Sequence, residues 1–111
     1  MSSHFTEADW KLLRRSRESM LEALTKRINR VAAEILESED SSPTEKYYRL
    51  CDHIEASDRI VADCFDGWKR SSITIFASNL LREDLLFDEI LESLSESGRT
   101  VLHEIQRIRE M

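Results

Sequence analysis

Glycine occurs twice and proline once among the 111 residues. Sandwiches and barrels reverse direction about every ten residues, mostly on those two residue types, so an all-β fold is not expected. The same scarcity leaves Gly67 and Gly98 as the only glycines, and a glycine-rich phosphate loop cannot be assembled from them. Cysteine is rare too: Cys51 and Cys64 are too few for a disulfide scaffold. On one helix their separation of 13 residues sets them about 20 Å apart and about 140° around the axis, too far to bridge. The first ten residues lack the basic start and unbroken apolar stretch of a signal peptide. No apolar run approaches the roughly 18 residues of a membrane helix. Reduced thiols in the cytoplasm, away from any membrane, are therefore expected.

What is present is an ordinary folding balance of 41% hydrophobic and 34% charged residues, enough for a single helical domain over 1–111. The net charge of −6 is distributed in blocks. Residues 1–36 are net +2 and residues 37–66 net −6. Residues 67–82 carry three basic and no acidic groups, whereas 83–98 carry six acidic and no basic ones. Phosphate contacts need a positive field, so nucleic acid is not the expected partner. The one place that could reverse this is the basic start of the first helix, Lys11, Arg14, Arg15 and Arg17, and i,i+4 pairs such as Glu7–Lys11 and Arg14–Glu18 would neutralise much of it.

Apolar spacing gives the architecture. Thr6 is a fitting N-cap, with Asp9 at N3 and a Phe5–Trp10 staple. Trp10, Leu13, Met20, Leu21, Leu24, Ile28, Val31, Ala32, Ile35 and Leu36 then follow one stripe, predicting a helix over about 7–38. A polar loop leads to Ser42, Pro43 and Glu45, a strong helix start. Its stripe is Tyr47, Leu50, Cys51, Ile54, Val61, Ala62, Phe65 and Trp68. Gly67 can close this helix, yet the apolar phase continues through it to Ile75, Phe76 and Leu80. The spacing therefore favours one helix over about 43–82, continuous or kinked at Gly67, with a break there as the alternative. After a turn at 82–84, Leu85 to Leu94 and Val101 to Ile108 predict one or two shorter helices. The expected fold is all-α, an elongated antiparallel bundle led by two long helices.

Motifs for chemistry are missing. No Glu-x-x-His pair, CxxC, HExxH or calcium loop occurs. Cys51 and His53 diverge by about 200° on a helix and cannot share one metal. The residues after His53 and His103 do not follow the pattern of phosphotransfer domains, and both cysteines read as small apolar-face residues. Neither metal nor cofactor is expected.

Two charges interrupt the apolar stripes. Asp58 falls near the centre of the second, and Arg17 near the centre of the first. A buried lone charge is costly, so each should find a partner. Either they pair inside the bundle or across a dimer, or they line a polar site for a small ligand or a reaction, with exposure of this part of the stripe to solvent as a further alternative. Asp52, Glu55, Asp63 and Asp66 form an acidic stripe, read as a solvated face bridged by Arg59 or as a docking surface for a basic partner. Two helices of about 45 Å leave much apolar surface for a short chain to cover. The leading expectation is a small, non-catalytic regulatory or adaptor-like protein that binds other proteins, itself included as a homodimer. Trp10, Leu12, Tyr47, Tyr48 and Trp68 are its candidate interface residues.

Overall fold

The computed structural model describes residues 4–111. It is all-α, in the order α1 (Glu7–Glu37), α2 (Pro43–Phe65), a 3₁₀ turn (Arg70–Ser72), α3 (Ile73–Arg82), α4 (Asp88–Ser93) and α5 (Glu96–Arg109). Both long helices start where their caps predict. The Thr6 hydroxyl accepts the Asp9 N–H at 3.1 Å while the Asp9 carboxylate accepts the Thr6 N–H at 2.9 Å. Ser42 accepts the Glu45 N–H at 3.2 Å, with Pro43 just inside the helix. Each cap satisfies a backbone donor that has no intrahelical partner.

The helix expected over 43–82 is two helices. α2 ends at Phe65 because Gly67 adopts φ +66°, the left-handed conformation in which a side chain is strained. Beyond it Trp68 folds back over the helix end and donates from Nε1 to the Cys64 carbonyl at 2.7 Å. Its ring stacks between Phe65 and Phe76, at 6.1 and 4.1 Å between centroids. The apolar phase ran through Gly67 because α2 and α3 each need an apolar face. The break lets the second face pack on the first instead of extending away from it.

α1 and α2 form a hairpin, and α3, α4 and α5 cover one side of its base. The core joins Leu13, Met20 and Leu24 of α1 to Cys64, Phe76, Leu80 and Leu102. Leu13, Met20, Leu24, Leu80 and Leu102 are fully buried, each contributing about 1.5–3 kcal/mol. Leu85 and Leu86, expected within a helix, are instead buried in the turn before the six-residue α4. Two long-range polar ties fix this layer on α1. Arg27 donates to the Glu83 carbonyl at 2.8 Å and pairs with its carboxylate at 3.0 Å. Asp9 accepts the Ser95 N–H at 2.8 Å and its hydroxyl at 2.6 Å, so one carboxylate caps α1 and anchors the start of α5. The far half of the hairpin projects past the layer, giving extents of 54 × 32 × 23 Å.

Candidate functional site

The side of the hairpin turned away from α3 is its most unusual surface. Arg27 reaches Glu83, and Asp63 faces Arg82 at 3.9 Å, so these two residues mark the side covered by α3. Leu36 lies nine residues after Arg27, and Ile54 nine before Asp63. Nine residues turn a helix by about 180°, so both point to the opposite, outer face. Tyr47, Asp58 and Cys51 lie about 160°, 140° and 120° from Asp63 and share that face. Tyr47 is 62% exposed, Leu36 53% and Ile54 40%, and Cys51 is exposed beside them. Half-buried Leu21, Ala32, Leu50 and Val61 line the seam between the two helices. The result is an apolar face toward the free end of the hairpin with no element of the described residues over it.

Such exposure arises from the rotation of α2. His53 and Ser57, not Tyr47, Cys51 and Ile54, turn toward α1. Ser57 is buried, and His53 Nε2 lies 2.9 Å from the Ile28 carbonyl. A carbonyl only accepts, so Nε2 carries the proton. This bond fixes which side of α2 meets α1.

The two interrupting charges are not brought together. Asp58 is exposed, which corrects the expectation that it is buried, and no ion pair joins it to Arg17. The physical reason is the same rotation of α2, which moves position 58 off the packed side. Arg17 is half-buried and donates to the Phe65 carbonyl at 3.0 Å, its guanidinium 5.5 Å from the ring centres of both Phe65 and Trp68. A cation over two aromatic faces, bonded to a helix-end carbonyl, closes the base of the outer face. Asp9, read from the sequence as a cap, is the buried carboxylate at 2% exposure. Burial raises its pKa, but the hydrogen bonds from Ser95 and Thr6 outweigh that and hold it below the ordinary aspartate value.

Of the interface candidates, Trp10 is buried in the core, packed near Phe76. Trp68 and Leu12 are half-buried against the core. Tyr47 and Tyr48 are both exposed, their rings edge to face at 5.4 Å. Asp52, Glu55, Asp63 and Asp66 are exposed. Arg59 pairs with Glu55 at 3.4 Å but does not bridge to Asp63, which faces Arg82. Lys11, Arg14 and Arg15 are exposed at the base of α1. Glu7, expected to pair with Lys11, meets Arg70 at 2.7 Å, and that guanidinium holds its carboxyl below the usual range. Burial raises the Cys64 thiol to about 11, so it is protonated near neutrality and a poor nucleophile. Among the described residues no group of three His, Cys, Asp or Glu is placed to hold a metal, and no helix is long and apolar enough to cross a membrane. Comparison with protein-family models, with curated proteins and with solved structures gives no match.

Proposed function

We propose that the protein is a small, non-catalytic interaction module, regulatory or adaptor-like, that works as a homodimer through the outer face of its α1–α2 hairpin. The observation that carries this reading is the unpartnered face of Leu36, Tyr47, Cys51 and Ile54. Apolar side chains gathered on one side of two helices are where a partner gains burial energy. The polar groups support the same reading. Asp9, Arg17, Arg27 and His53 all hold elements together through caps, carbonyls or aromatic faces. Two free cysteines on different sides of α2 fit a reducing compartment such as the cytoplasm.

Sedimentation equilibrium across a concentration series tests the proposal. The wild-type chain is expected to be dimeric, and Ile54→Glu monomeric with unchanged helicity and a cooperative melt. A wild-type chain that stays monomeric throughout would overturn it.

A further inference from the structure

Self-association through the outer face leaves open how two hairpins lie on each other, and charge at the two ends of the hairpin decides it. At the base, residues 11–17 carry four basic groups and no acidic one. Arg17 turns inward to Phe65, which leaves Lys11, Arg14 and Arg15 exposed. At the tip, residues 37–42 carry Glu37, Glu39 and Asp40 and no basic group, and all three are exposed. The apolar face lies between these ends.

The room for a second copy is also present. A compact chain of 13.0 kDa exposes about 6,300 Å². This one exposes 7660 Å², an excess larger than the roughly 800 Å² that each partner gives up in a standard interface. Its radius of gyration is 16.7 Å, against about 13 Å for a compact chain of this length. Both values go with the elongated extents of 54 × 32 × 23 Å.

We infer that the occupant of the outer face is a second copy of the chain, laid antiparallel so that the acidic tip of each hairpin meets the basic base of the other. This rests on the interaction reading above and adds the register. A two-fold axis across the hairpin near Ile54, which is level with Ile28 through the His53 bond, brings Ile54 onto its own copy. Tyr47 of one copy then meets Val61 of the other, and the tip at 39–40 meets the basic start of α1 near residues 16–17. The alternative two-fold, along the hairpin, sets tip on tip, crowding Glu37, Glu39 and Asp40 of both copies, and leaves the basic start of α1 at the end away from those acids. Exposed pairs add little affinity, but like-charge contacts select against the wrong alignment.

The test exchanges the charges. One variant carries Lys11→Glu and Arg15→Glu, the other Glu39→Lys and Asp40→Lys; Arg14 is left in place because it lies over the Trp10 ring. By sedimentation equilibrium at low salt, each variant alone is expected to dimerise at least about tenfold more weakly than wild type. An equimolar mixture restores opposite charges at both ends and is expected to form a one-to-one heterodimer as tight as the wild-type dimer. A distance measurement needs no charge change: a spin label at Ser38→Cys in a Cys51→Ser chain should read about 33 Å across the dimer. A wild-type dimer with no gain on mixing, or with labels within about 20 Å, overturns the antiparallel register and leaves the interaction reading standing. A wild-type monomer overturns both.

Discussion

Asp9 carries more of the structure than any other polar residue. Its carboxylate accepts three hydrogen bonds, from the Thr6 N–H and from the Ser95 N–H and hydroxyl, and its own N–H donates to the Thr6 hydroxyl to complete the reciprocal cap. A hydrogen bond to a charged group contributes about 1.5–3 kcal/mol to stability. Asp9→Ala removes the acceptor of the Ser95 and Thr6 donors and the tie between the starts of α1 and α5 at once, so a loss of about 2–3 kcal/mol in urea unfolding is expected. The pH dependence follows from the lowered pKa. A folded carboxyl that ionises more readily than its unfolded counterpart contributes stability that is present above the unfolded value of about 3.9 and is lost as pH falls through the folded one. Acid titration of stability should therefore be shallower in Asp9→Ala than in wild type over that window. Arg17 illustrates the other outcome at this scale. Its place in the apolar stripe was legible from spacing, but its partners, a carbonyl and two rings 48 and 51 residues away in sequence, were not.

At the scale of the element, starts were easier to read than ends. Thr6 and Ser42 act within their own first turns, so their capping is local chemistry. The end of α2 depended on competition between a glycine and an unbroken apolar phase. Trp68 stacked on Phe76 favours the break, because it buries two faces against each other. Gly67 has no atom within 4 Å of where a Cβ would stand, so a substitution there meets conformational strain and no clash. Gly67→Ala is expected to cost about 1 kcal/mol in urea unfolding, from the left-handed backbone alone. A stabilised protein would indicate that α2 and α3 prefer to run on as one helix. The rotation of α2 is the other element-level result. Periodicity placed Tyr47, Cys51, Ile54 and Asp58 on the stripe, but the stripe spans a wide arc, and the α1-facing part of it runs through His53 and Ser57.

Across the whole molecule, the layer formed by α3, α4 and α5 is too short to follow the hairpin to its tip. The two thiols report on that arrangement. Cys64 is fully buried with its thiol raised to about 11, whereas Cys51 lies on the outer face. In monomeric Ile54→Glu, iodoacetamide should modify Cys51 rapidly and Cys64 only on unfolding. In the wild-type chain, modification of Cys51 should slow as protein concentration rises through the dimerisation range. A rate for Cys51 that is independent of concentration would count against coverage of that face.

Helix content, caps, the position of the loop at 38–42 and the block pattern of charge were determined by the sequence alone, because each follows from interactions within about one helical turn or from composition. Tertiary structure decided where α2 stops, which side of it faces α1, and that Asp9 rather than Asp58 is the buried carboxylate. These outcomes depend on groups far apart in the chain: Ser95 on Asp9, Phe76 on Trp68, and the Ile28 carbonyl on His53. A helical stripe specifies an arc of apolar residues, and only the shape of what packs against it selects the part of that arc that is covered.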